Sequence, residues 1–212
     1  MLRNRAMPAG FIRPCQPSPA AAPPTGTDWF HEIKHDGIRL LVRRDGDRVR
    51  AFTRNGNNLA LRYPAVVAAA SALRARSFVI DGEAVVADSA GLASFELLRG
   101  CTRHREAFCW AFDLLELNGQ NLRTEPIERR KEALGRLLKR APFGLAVNEH
   151  HAGDGPELFA QACAIGLEGI VSKRRGSRYS SGRSSHWVKA KNPQSAAALR
   201  EATEEWGREG QR

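Results

Sequence analysis

Four short segments carry residue types and spacings that suit chemistry. In Lys34-His35-Asp36-Gly37 a lysine lies beside an Asp-x-Gly turn, with Glu32 before it and Arg39 after it. A surface lysine at a turn has no chemistry of its own, but an amine that sheds its proton near neutral pH is a nucleophile, and nearby cations or desolvation bring that about. Ile80-Asp81-Gly82-Glu83 sets two acids inside an apolar, β-branched run. Buried acids are costly unless paired or metal-bound. On a regular strand both face one way, so a cation or a sugar hydroxyl is the expected partner. Glu168-Gly169-Ile170-Val171-Ser172-Lys173 opens with an acid and closes with a lysine. In Trp187-Val188-Lys189-Ala190-Lys191 alternation puts both lysines on one strand face. Such like charges repel, which a phosphate between them relieves, although a solvated strand face also carries lysines.

Those segments need a scaffold. Trp29 to Ile33 and Arg39 to Arg43 read as strands, Asp45-Gly46 is a hairpin turn into Val49–Thr53, and Asn55-Gly56 is a second turn. Helices are predicted from Pro64 to Leu73, at Ser94–Leu98 and over Ile127–Leu138. The last has Ile127, Leu134, Leu137 and Leu138 on one face and Arg and Glu opposite. Asp154 with Glu157 resembles a capping box for a helix ending at Gly166. Ser77 to Ala87, Phe108 to Leu115, Leu145–Glu149, Gly169–Ser172 and Trp187–Lys191 complete the strands. Helices and strands do not alternate regularly, so the expected class is α+β with largely antiparallel sheets. Residues 1–27 form a Pro-rich segment, extended or loosely attached; 28–192 form the domain; 193–212 form a polar tail.

Composition narrows the partners. The formal net charge is +10, which suits a polyanion such as nucleic acid and equally suits plain solubility. Cys15, Cys101, Cys109 and Cys163 show no zinc spacing; Cys109 and Cys163 lie in apolar stretches where buried free thiols are the default. His150-His151, adjacent on a strand, point to opposite faces. No apolar run of about 18 residues suggests a membrane span, and no secretory signal is legible. A reduced, cytoplasmic location is the simplest reading, associated with the nucleoid if the source is bacterial.

In order, these segments resemble the nucleotidyltransferase motifs of the covalent-lysine superfamily: ATP-dependent DNA ligases, RNA ligases and mRNA capping enzymes. Lys34–Arg39 is similar to motif I, Thr53-Arg54-Asn55-Gly56 to motif Ia, and Phe78–Glu83 to motif III. Phe112-Asp113 is similar to motif IIIa, Glu168–Lys173 to motif IV and Trp187–Lys191 to motif V. The wording of "WFHEIKHDGIRL" and "EGIVSKRRGSRYSSGRSSHWVKAKNP" most resembles the ligase domain of bacterial multifunctional end-joining ligases.

The resemblance implies a covalent nucleotidyltransferase (ATP-grasp-like) fold, with antiparallel sheets flanked by helices and the nucleotide site between them. It implies that Lys34 attacks the α-phosphate of ATP to leave lysyl-AMP, while Lys189 and Lys191 neutralise that phosphate. Glu168, with Glu83, would hold Mg²⁺ or Mn²⁺. Phe112 would stack on adenine and Glu32 accept its amine; Arg39, Arg54 and Glu83 would contact the ribose, and Lys173 a phosphate. Arg174, Arg175, Arg178 and Arg183 belong to the most basic stretch, which is either a flexible solvated loop or a contact for DNA phosphates. The implied activity is ATP-dependent ligation of nicked or broken double-stranded DNA in repair or recombination. Residues 192–212 are too few for the OB-fold module that follows motif V in full ligases. A separate OB-domain or end-joining protein is therefore an expected partner. An RNA ligase or capping-type enzyme, and a catalytically impaired DNA-binding accessory protein, remain the alternatives.

Overall fold

The computed structural model describes residue 8 and residues 10–100 and 103–200; Cys101 and the last part of the predicted tail lie outside them. The strands in chain order are β1 (Cys15–Pro19), β2 (Trp29–Ile33), β3 (Ile38–Asp45), β4 (Arg48–Thr53), β5 (Ser77–Val85), β6 (Phe108–Leu117), β7 (Gln120–Asn121), β8 (Leu145–Val147), β9 (His150–His151), β10 (Gly169–Arg174) and β11 (Gly182–Lys191). The helices are α1 (Pro64–Ala72), α2 (Phe95–Arg99), α3 (Ile127–Leu138) and α4 (Gly155–Ala164). A further helical run covers 196–200.

The strands form two sheets, ordered β1-β11-β10-β2-β9 and β4-β3-β5-β6-β7, with β8 added to β6. Side-chain alternation explains how they stack. Leu40 and Val42 of β3, Phe78 and Ile80 of β5 and Leu114 of β6 enter one core with α1 and α3. Their neighbours Leu41, Val79 and Leu115 turn the other way and meet Cys15 and Trp187 of the first sheet and Tyr179 of the β10–β11 loop. The central strands of the second sheet are thus buried on both faces, which is why they read as unbroken apolar runs.

Most pairings are antiparallel, but β1 pairs with β11 and β6 with β8 in parallel. Within the Pro-rich segment, Cys15 to Pro19 are therefore extended and built into the sheet; residues 1–7 and 9 of that segment lie outside the described residues. Two local readings need correction. Asp154 stands at the N-cap of α4 but makes no side-chain cap bond, and Glu157 instead accepts from Gln161 at 3.4 Å. On α3, Arg130 and Lys131 are buried rather than on a solvated face. Among the described residues no helix is long and apolar enough to cross a membrane.

Candidate active site

Backbone pairing lays the site out as a ladder on β2, β10 and β11. Phe30, Lys173 and Trp187 form one row, and Glu32, Val171 and Lys189 the next. Beyond them the Lys34 N–H donates to the Gly169 carbonyl at 2.9 Å, with Lys191 opposite Gly169. At about 3.3 Å per residue, roughly 13 Å separates the Trp187 row from the Lys191 row. The ladder floors a pocket of about 730 Å³, whose wall from the other sheet includes Arg39, Glu83 and Phe112. Gly37 and Gly169 allow the close approach. A Cβ on Gly37 would strike the Ala84 carbonyl, and one on Gly169, at φ +136°, the Ala190 carbonyl.

At the Trp187 end, Glu32 is 1% exposed. Lys173 donates to it at 2.8 Å and Asn148 Nδ2 at 3.4 Å. Lys131 reaches it from α3 at 2.7 Å as an ion pair poorly aligned for a hydrogen bond. Burial pushes the Glu32 carboxyl up, but the two lysines outweigh it and hold it below the ordinary 4.5. Burial lowers the Lys173 ammonium to about 8 despite Glu32. The Lys173 amine also lies over the Phe112 and Trp187 rings, 4.5 and 4.1 Å from their centroids. It therefore stands at the aromatic end, apart from Lys189 and Lys191.

Phe112 is 8% exposed. The Arg39 guanidinium also stacks on it, 4.5 Å from the centroid, so the ring offers little open face. Arg39 is itself held by Asp81 in a bidentate pair at 2.5 and 2.6 Å. Tyr179 donates its hydroxyl to the same carboxylate at 2.6 Å. Asp81 thus finds its cation inside the protein. Glu83, which pairs with Arg39 across the strands, has no hydrogen-bond partner among the described residues. Burial pushes it up to about 7, and nearby Glu168 and Asp81 add to that.

At the other end, Lys34 Nζ and a Glu168 carboxylate oxygen are in direct contact, with Lys191 Nζ 3.9 Å from the same oxygen. Asn148 steadies the segment around Lys34, donating to the Ile33 carbonyl at 3.1 Å and meeting His35 Nε2 at 3.0 Å. His35 stacks on Trp110, 5.1 Å between centroids, and burial lowers its pKa. Arg54 lies on the exposed turn after β4 at the pocket wall.

All four arginines of the basic stretch, Arg174, Arg175, Arg178 and Arg183, are exposed, and Arg183 also lines the pocket. Arg175 is turned back onto Glu128 at 3.5 Å. The loop backbone is pinned: Gly176 N–H donates to Glu128 at 3.1 Å, and Arg130 donates to the Ser177 carbonyl at 2.9 Å. A flexible loop is therefore not what the fold builds.

Lys131 and Asn148 went unnoticed in the sequence. Lys131 had a signal: with Arg130 it lies three and four residues after Ile127, on the apolar stripe itself. Asn148, in the turn between β8 and β9, had none.

A family model described as the ATP dependent DNA ligase domain matches residues 16–191. The chain belongs to this family. It is 40% identical over 167 residues to the multifunctional non-homologous end joining DNA repair protein LigD of Mycobacterium tuberculosis, covering 78% of this chain and 22% of that protein. Identity to a probable DNA ligase of Streptomyces griseus is 36% over 181 residues, covering 76% of this chain and 35% of that one. The mycobacterial DNA ligase D complexed with ATP and MES superposes with a TM-score of 0.75 at 35% identity, over 85% of this chain and 60% of that chain. The Chlorella virus DNA ligase-adenylate, at 15% identity and TM-score 0.60, over 84% of this chain and 67% of that one, shares the fold. The expected nucleotidyltransferase fold of DNA ligases is thus present. The chain spans 22% of the length of the LigD relatives.

The family is described as ATP dependent, and a divalent ion is expected beside such a nucleotide. The donor set suits that ion. Glu83, unpartnered among the described residues, and Glu168 line one pocket and offer only oxygen, the chemistry preferred by Mg²⁺, which keeps several waters of its own.

Proposed function

We propose that the protein is an ATP-dependent adenylyltransferase whose Lys34 takes AMP from ATP for the sealing of nicked or broken double-stranded DNA in repair. One observation carries this reading. A single pocket holds Lys34, Glu168, Lys189 and Lys191 at one end and Phe112, Val171 and Trp187 at the other, which is the polarity of a nucleotide.

Adenine packs against the remaining open edge of Phe112, with Val171 and Trp187 beside it. Glu32, locked by its two lysines and Asn148, faces the base amine, and Lys173 holds that carboxylate in place. Arg39, Arg54 and Glu83 face the ribose. Lys34 Nζ gives up a proton and forms a bond to the α-phosphorus. The bond from that phosphorus to the bridging oxygen breaks, and pyrophosphate leaves with the electron pair. The Glu168 carboxylate, already on Nζ, is placed to accept the proton. Lys189 and Lys191 face the charge that builds on the α-phosphate, and such preorganised cations supply most of the acceleration in phosphoryl transfer. A Mg²⁺ ion held by Glu168 and Glu83 would supply further charge neutralisation when bound. Arg174, Arg178 and Arg183 contact DNA phosphates beside the pocket, with Arg175 bracing their loop.

The test is covalent labelling with α-phosphate-labelled ATP and Mg²⁺. Wild type is expected to take label and Lys34→Ala none. No label on wild type, alone or with an added OB-domain protein, removes the reading. Label from GTP in place of ATP points instead to capping-type chemistry. Sealing of pre-adenylated nicked DNA then checks the step on DNA.

A further inference from the structure

The helical run 196–200 brings a cation to the pocket that the roles above leave unused. It follows β11 through a tight set of backbone anchors. Asn192 N–H donates to the Glu168 carbonyl at 2.9 Å, its side-chain amide to the Leu167 carbonyl at 3.1 Å, and Ser195 Oγ to the Asn192 carbonyl at 2.8 Å. These fix where the run starts, and Arg200, the last described residue, joins the pocket wall. Arg200 Nη2 donates to Asp36 at 2.6 Å, and Nη1 stands 4.0 Å from Glu96. The guanidinium lies over the Phe95 ring, 4.3 Å from its centroid. With its side chain 21% exposed, Arg200 is placed rather than trailing in solvent.

Its position along the site gives it meaning. The aromatic end and the attack by Lys34 fix the direction of a bound nucleotide, with the base at Phe112 and the α-phosphate at Lys34. The two remaining phosphates must then extend past Lys34. Arg200 belongs to that end: it pairs with Asp36, two residues beyond the nucleophile, and the Glu168 carboxylate that touches Lys34 also raises its pKa. A planar guanidinium matches phosphate oxygens two at a time. With Nη2 on Asp36, the other donors of the fork remain to meet them. Asp36 and Glu96 then serve to hold an otherwise mobile side chain in register before the nucleotide arrives.

We propose, resting on the adenylyltransferase reading, that Arg200 binds the β- and γ-phosphates of ATP and steadies pyrophosphate as it leaves Lys34. The discriminating ligand pair is AMP, which lacks those phosphates, and the non-reacting α,β-methylene analogue of ATP, each titrated into the full chain with Mg²⁺ by calorimetry. In Arg200→Ala the analogue is expected to bind about tenfold more weakly or worse, as loss of a charge-assisted contact implies, while AMP changes by less than about twofold on the same grounds. Arg200→Lys keeps the charge without the fork and is expected to recover part of the loss. It also carries the test should the alanine variant fold poorly. On the charged protein, the pyrophosphate concentration that strips AMP from Lys34 should rise in step. Equal weakening of both ligands would mean that Arg200 only holds the pocket together, and no change in either would mean that it is idle; either result overturns the assignment. A wild type that binds neither ligand would instead bring down the nucleotide reading itself, and this assignment with it.

Discussion

Glu32 is a single carboxylate facing two lysines in a place that water does not reach, and the asymmetry of such clusters decides what its removal does. An intact buried ion pair adds little net stability, but taking one partner away strands charge. Glu32→Gln leaves Lys131 and Lys173 without their counter-charge, at 7% and 1% exposure. The expected loss is about 3–5 kcal/mol in urea denaturation at pH 7. The pH dependence follows from the sign of the shift. Glu32 lies below its ordinary 4.5 in the fold, so its contribution is whole above pH 4.5 and disappears as pH falls through the folded value. The gap between wild type and Glu32→Gln should therefore narrow below pH 4.5, and a constant gap would count against the pairing. The sequence made Lys34, Glu168, Lys189 and Lys191 legible because each sits in an ordered motif. It hid Asn148, whose partners are more than a hundred residues away in the chain.

At the scale of elements, α3 and the β10–β11 loop act as one piece. Arg130 of α3 pairs with Asp113 of β6 at 2.8 and 3.0 Å, both side chains fully buried, and also holds the loop at Ser177. Arg130→Met strands the Asp113 carboxylate and frees the loop at once. The expected outcome is a loss of about 3–5 kcal/mol, with faster amide exchange at 176–179 as the local check. Because the loop is anchored, its exposed arginines present a fixed pattern of charge. Replacing Arg174 and Arg178 together with alanine should weaken DNA binding evenly across sequences. Each lost phosphate contact should flatten the plot of log affinity against log salt by about 0.9. An unchanged slope would show that the loop does not touch DNA phosphates. The bounds of α3 were readable from its periodicity, whereas the burial of its basic residues was not. Binary patterning assigns Arg and Lys to water, and only the carboxylates waiting on β2 and β6 reverse that.

Across the whole molecule, the strands were legible one by one, but their parallel pairings and the stacking of the two sheets were not. Alternation says that a strand has two faces and not what each face meets. One global property follows from the groups this stacking encloses. His31, His35 and His150 are each lowered from 6.5 chiefly by burial. A lowered histidine adds stability that is whole above pH 6.5 and is lost as pH falls toward its folded value. Glu83, raised to about 7, works the other way, recovering stability as pH drops from 7 toward 4.5. The two effects oppose each other over the same range of pH. Glu83→Gln removes the carboxylate's share, so its stability to urea should fall more steeply than that of wild type between pH 6.5 and about 5. Parallel profiles for the two proteins would show that Glu83 takes up its proton as readily in the unfolded chain as in the fold.

The parallel pairing of β1 with β11 also sets an order in time. Cys15 N–H bonds to the Tyr179 hydroxyl across 164 positions of sequence, and the Lys34 N–H reaches the carbonyl of Gly169, itself paired with Lys191, more than a hundred residues later. Contacts between such distant segments form late and slowly. On the ribosome, Lys34 emerges well before β11, the strand that carries Lys189 and Lys191. If Lys34 takes AMP as proposed, a chain interrupted between the two segments holds the amine without Lys189 and Lys191 beside it, and such unfinished copies would not lock up AMP.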